Sequence, residues 1–241
     1  MTKELLLIAS GEHTASCFAR KLLGQHPQIS AEDVVHKFYM QQDASSRYLY
    51  GAGDRISCHG DEFRDALLAL GQERETYIQW NQYVHDPHFL PLLLHKPFAF
   101  KLVITLRHPE RVLKTLYRRG EGMRNALSFY LTLLYVIKMN RSNAFVFQAD
   151  GLASRTAEER TQFLSGLFVD YLGLDISEGV QKSINLWCPE NPTASSDPRH
   201  RALADNEADE IVKQIESSRV FDILDQLALP FAYKQGEVAL V

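Results

Sequence analysis

Residues Ser10 to Ser16, reading SGEHTAS, combine a glycine, three hydroxyl residues and a histidine directly after the apolar run Leu5–Ala9. A helix that opens from such a loop presents free backbone N–H groups to an anion. Far along the chain, Arg107 follows a second apolar run, Phe98–Leu106, and Thr115 stands eight residues beyond it. Arginine is close to always charged, and its planar fork matches phosphate and sulfate oxygens. Hydroxyls and amides at one joint, with a guanidinium at the other, point to a phosphate or sulfate ligand.

Both joints need the same support: a buried strand, a polar loop, then an amphipathic helix. Leu5–Ala9 does not alternate, as expected of a strand buried on both faces. Phe18, Leu22 and Leu23 recur at helical spacing, and this helix ends near Gly24, before Pro27. Phe98–Leu106 is rich in β-favouring residues, and Pro109 stands where the first turn of a helix tolerates proline. Val112, Leu113, Leu116 and Tyr117 form that helix's apolar stripe. Arg111, Lys114, Arg118 and Arg119 lie mostly off it, on a face expected to be solvated.

Further strands are expected at Thr76–Trp80 and Ala144–Gln148, with a possible strand centre at Val34–Val35. Helices are expected after Asp61, at Phe89–Leu94, Arg124–Met139, Ala157–Tyr171 (closing at Gly173), Asp205–Ser217 and Arg219–Leu227. Gln41–Cys58 and Trp187–Arg201 read as loops that would build a substrate-binding surface. Strands separated by helices predict an α/β fold in three layers, a central, mostly parallel sheet flanked by helices. No repeat or linker divides the chain, so one domain over residues 1–241 is expected.

The remaining composition narrows the function classes. A net charge of −4 disfavours wholesale coating of nucleic acid. Three widely spaced cysteines, Cys17, Cys58 and Cys188, fit reduced thiols and a cytoplasmic location better than a disulfide framework. No apolar stretch is long enough to span a bilayer. His85-Asp86-Pro87-His88 has metal-binding residue types, but Pro87 interrupts it and no other ligand pair accompanies it, so no metal is expected.

Three stretches together resemble the sulfotransferase family. SGEHTASC, Ser10–Cys17, followed by RKLLGQHP, Arg20–Pro27, is similar to that family's first loop, GxxRSGTT or GxPKSGTT, and its LLxxHP helix. RHPERVLKT, Arg107–Thr115, is similar to its RxPxxxxxS signature. FQADGL, Phe147–Leu152, and YLGL, Tyr171–Leu174, are similar to its YEDL-like turn and FLGL. Order and spacing agree over roughly residues 5 to 175.

The resemblance implies a P-loop NTPase-like fold and the sulfate donor phosphoadenosine phosphosulfate (PAPS), whose product is PAP. Gly11, Thr14, Ala15, Ser16 and Cys17 would hold the donor's 5′-phosphosulfate, and Arg107 and Thr115 its 3′-phosphate. His13 falls where the family's loop has a cation. Ala15 falls on the loop's glycine, and Ser16 and Cys17 on its threonine pair. A base near the donor loop or after the next strand would take the acceptor's proton. His85 leads, with His36 and Glu12 behind it. The acceptor would be a hydroxyl or amine of a small molecule or glycan. Two other readings stand beside this one. The substituted loop suits a non-catalytic relative that binds a nucleotide or a protein. A nucleotide-dependent phosphotransferase is disfavoured because GxxxxGK[ST] is absent.

Overall fold

The computed structural model of the chain describes residues 3–11, 14–31, 64–65, 68–69, 71–84, 93, 99–118, 120, 122–150, 152, 155–187, 204–227 and 229. Four strands form one parallel sheet: β1 (Glu4–Ser10), β2 (Tyr77–Tyr83), β3 (Phe100–Leu106) and β4 (Ala144–Gln148), in the order β2-β1-β3-β4. The central strand, β1, is buried from Leu5 to Ser10, which explains its unbroken apolar run.

Helices cover both faces of the sheet. Leu5, Leu7 and Ala9 point to one face and pack in a cluster with α2 (Pro109–Arg118), α3 (Met123–Asn140), α6 (Asp205–Ser217) and α7 (Val220–Gln226). Leu6 and Ile8 point to the other face and pack with α1 (Ser16–Leu23), α4 (Ala157–Leu164) and α5 (Glu178–Trp187). The last turns after α4 widen into a π-helix, Ser165–Leu172, closed by Gly173 at φ 69°, the left-handed cap that glycine takes without strain. The expected three-layer α/β architecture is therefore present.

Three expectations shift. The strand expected to stop at Trp80 runs on to Tyr83, because Asn81, Gln82 and Tyr83 pair with Ile8, Ala9 and Ser10. Helix α5 was not anticipated, although Val180 and Ile184 lie buried four residues apart. Arg219 sits outside α7 as a left-handed cap at φ 61°. The expected strand centre at Val34–Val35, the helix at Phe89–Leu94 and the loop Gln41–Cys58 lie outside the described residues, apart from Leu93.

The topology fixes where a ligand can enter. Helix α1 leaves β1 toward one face, and α2 leaves β3 toward the other. In an open parallel sheet, loops that diverge from adjacent strands leave a crevice beyond the strands' carboxyl ends. Both joints singled out by residue type follow the carboxyl ends of these two adjacent strands.

Candidate active site

The first joint is built around Thr14. Its buried hydroxyl donates to the carbonyl of Gly11 at 2.8 Å and lies 2.7 Å from the hydroxyl of Thr105 on β3. A hydroxyl carries one proton. With Thr14's proton on Gly11, Thr105 is the donor between the two threonines. The side chain of Thr14 is thus an internal tether of the loop, and the expected donor-binding role does not fit its hydroxyl. Gly11 permits the fold-back: a Cβ there would sit 3.2 Å from the Thr14 methyl group.

Ala15 takes φ 67° and ψ 29°, a left-handed conformation that alanine adopts at a cost of about 1–2 kcal/mol. The resemblance puts the family's loop glycine at this position, and glycine takes such a conformation without the Cβ penalty. Helix α1 then starts with no side-chain cap and no acidic residue in its first turn. Its leading N–H groups, at Ser16 and Cys17, belong to a helix start without a side-chain cap, and such a start favours an anion. Ser16 is partly buried and the Cys17 thiol is exposed. Ser10, wholly buried, donates to Asn81 Oδ1 at 3.2 Å, which ties the end of β1 to β2.

The second joint gathers more charge than the sequence motif names. Arg107 Nε lies 3.3 Å from Asp150 Oδ1, and Arg111 Nη1 lies 3.4 Å from the same oxygen. Asp150 Oδ2 accepts the backbone N–H of His108. The carbonyl of Arg107 accepts from the hydroxyl of Tyr130 at 2.7 Å, so its backbone is pinned from α3. Burial, reinforced by the Asp150 charge, pushes the Tyr130 hydroxyl well above its ordinary pKa, so it stays a donor. Arg111 therefore faces a carboxylate of β4's turn, and is not simply part of a solvated face. Thr105 and Tyr130 carry no motif of their own; Asp150 and Arg111 fall inside FQADGL and RHPERVLKT, but sequence reading gave neither a role in the site.

His108 begins α2 from inside. Its Nδ1 accepts the N–H of Glu110 at 3.2 Å, so the ring is neutral and caps the helix. Burial first, then the charges of Arg111 and Lys114, lower its pKa to about 3. Thr115 donates to the carbonyl of Arg111 at 2.8 Å, the usual bond of a threonine to the preceding helical turn. To serve a phosphate as a donor it must leave that bond.

Ala15, Ser16, Cys17 and Arg107 are thus placed at one sheet edge. His13 and His85 lie outside the described residues, as do Glu12 and His36. Strand β2 ends at Tyr83 opposite Ser10, with the N–H of Val84 on the Ser10 carbonyl at 2.8 Å. Among the described residues no cluster of three or more His, Cys, Asp and Glu is placed to hold a metal, and no helix is long and apolar enough to cross a membrane.

No protein-family profile matches the sequence, and no curated protein matches it either. Solved structures do match the fold. The sulfotransferase domain of the Synechococcus PCC 7002 olefin synthase aligns over 97% of this chain and 96% of its own, at 17% identity and a TM-score of 0.53. The sulfotransferase domain of the curacin biosynthetic pathway aligns over 95% and 99%, at 15% identity and a TM-score of 0.54. A mouse sulfotransferase complexed with PAP aligns over 95% and 88%, at 10% identity and a TM-score of 0.51. With its parallel sheet, its two diverging joints and these matches along almost the whole chain, the protein has the α/β fold of the sulfotransferases.

Proposed function

We propose that the protein is a single-domain, cytoplasmic enzyme that transfers a sulfuryl group from PAPS to a hydroxyl or amine of a small molecule or glycan. One observation carries the reading. A helix N-terminus with no side-chain cap and no acidic residue in its first turn, and an arginine-rich joint, follow the carboxyl ends of two adjacent parallel strands. That pairing suits a ligand with anionic groups at both ends, as PAPS has. Mouse sulfotransferase bound to PAP has the same fold, which adds support.

The donor supplies the sulfuryl group, and the bond between its sulfur and the bridging oxygen is the one that breaks. The first-turn N–H groups at Ser16 and Cys17 hold the anionic 5′ end and stabilise charge developing on the bridging oxygen. His13, protonated beside that anion, supplies the loop's positive charge. Arg107 holds the 3′-phosphate, with Thr115 joining once its hydroxyl turns from the Arg111 carbonyl. His85 takes the proton from the acceptor as the acceptor's oxygen or nitrogen bonds to sulfur. Positioning and electrostatics then account for most of the rate enhancement, as in phosphoryl transfer.

The test is turnover: PAPS is incubated with the protein and a panel of hydroxyl and amine acceptors, and PAP release is followed with sulfated product. Acceptor-dependent release that disappears in His13→Ala, with PAP binding retained, is the expected result. PAP binding without release for any acceptor would leave the non-catalytic nucleotide-binding relative as the better reading.

A further inference from the structure

We propose that Arg111 is a second guanidinium of the 3′-phosphate site, held beside Arg107 by Asp150, so that the joint after β3 grips a doubly charged phosphate monoester with two arginines. This rests on the reading of Arg107 as a 3′-phosphate ligand. The sequence motif assigns only Arg107 and Thr115 to that phosphate, and Thr115 spends its proton inside its own helix.

The arrangement explains itself by position. The N–H of Ala149 bonds the carbonyl of Leu106 at 3.0 Å, which carries the β3–β4 pairing one step beyond β4. Asp150 therefore falls beside the start of α2, where it takes the His108 N–H and both arginines. Its side chain is 12% exposed, whereas those of Arg107 and Arg111 are 31% and 42% exposed. The carboxylate lies inside and the guanidiniums lie toward solvent. Arg107 meets Asp150 through Nε and Arg111 through Nη1. The Nη pair of Arg107 and Nη2 of Arg111 take no hydrogen bond among the described residues.

Two neighbouring guanidiniums repel each other, and an intervening carboxylate offsets that repulsion. Two positive charges and one negative leave a net charge of +1 at the opening of α2, where the helix dipole adds to it. A dianionic phosphate meets both arginines there by charge-assisted hydrogen bonds. Asp150 is a positioning residue in this scheme, because it touches the arginines and not the ligand.

The test compares PAP with adenosine 5′-phosphate, which carries a 3′-hydroxyl in place of the 3′-phosphate. Calorimetric affinities are measured for the unaltered chain, Arg111→Gln, Asp150→Asn and the double variant. The unaltered chain is expected to prefer PAP. Arg111→Gln, an exposed change that should leave folding intact, should weaken PAP by about tenfold, or about 1.4 kcal/mol, and leave adenosine 5′-phosphate unchanged. Asp150→Asn should reduce the PAP preference, and Arg111→Gln should add little in that background. An unchanged PAP preference in Arg111→Gln overturns the inference while the donor-site reading stands. Absence of PAP binding to the unaltered chain overturns both.

Discussion

The hydroxyl oxygens of Thr14 and Thr105 lie 2.7 Å apart, and through them the loop after β1 is fastened to the end of β3. Both side chains are buried, and the Thr14 proton is already given to Gly11. The tether keeps the start of α1 and the start of α2 at one opening. A buried hydroxyl that loses its partner costs about 1–3 kcal/mol. Thr105→Val should therefore lower unfolding free energy by roughly 1–2 kcal/mol. Thr14→Val/Thr105→Val should lose less than the sum of the two single changes, because the residues act as a pair. Urea unfolding of the four proteins checks this, and strict additivity would speak against the tether.

Ala15 holds a left-handed backbone at φ 67°. Glycine takes that conformation without a Cβ penalty, although it is freer in the unfolded chain. Ala15→Gly should raise stability by about 0.5–1 kcal/mol, and Ala15→Val should lower it. The readout is the midpoint of denaturant unfolding at unchanged slope. A fall in stability with glycine would mean that the loop is not strained there.

His108 makes stability depend on pH. Its pKa falls from 6.5 in the unfolded chain to about 3 in the folded one, chiefly through burial. Between those values the unfolded state binds the extra proton, so stability rises with pH. The contribution is fully present above pH 6.5 and is lost as pH falls toward about 3. The slope from one such group is at most about 1.4 kcal/mol per pH unit. His108→Asn keeps an acceptor for the Glu110 N–H and removes the titration, so it should flatten the acid limb. Burial lowers the pKa of His26 as well, so a residual slope of the same sign remains. An unchanged acid limb in the variant would show that His108 titrates normally.

Arg107→Ala should weaken PAP binding by about tenfold or more, since a charge-assisted contact is lost. Tyr130→Phe, which removes only the bond to the Arg107 carbonyl, should have a smaller effect on affinity and lower stability by about 1 kcal/mol. Equal PAP affinity in Arg107→Ala and the unaltered chain would take Arg107 out of the site.

Much of this fold is legible because burial writes itself into periodicity. Leu5–Ala9 and Phe98–Leu106 announce central strands, Pro109 begins a helix as expected, and Gly173 ends one. The polar end of β2 is not legible, since Asn81 is extended by pairing with β1 and not by its own preference. Helix α5 carried a readable signal in Val180 and Ile184 that lay between more conspicuous elements. The site divides in the same way. Arg107 follows a recognisable strand and so stands out. Asp150, 43 residues away, becomes its partner only through the β3–β4 register. Thr14 looks like a ligand by residue type, and only the placement of Thr105 reveals that its hydroxyl faces inward.

The most direct test of the central claim is thermal unfolding of the full chain with PAP, with ATP plus Mg²⁺, and with neither. A ligand at about 100 times its Kd stabilises the folded state by about 2.7 kcal/mol, a readily measured shift. Donor-site occupancy as proposed predicts a clear rise in Tm with PAP. A rise with ATP and Mg²⁺ but none with PAP would contradict it and favour a phosphotransferase.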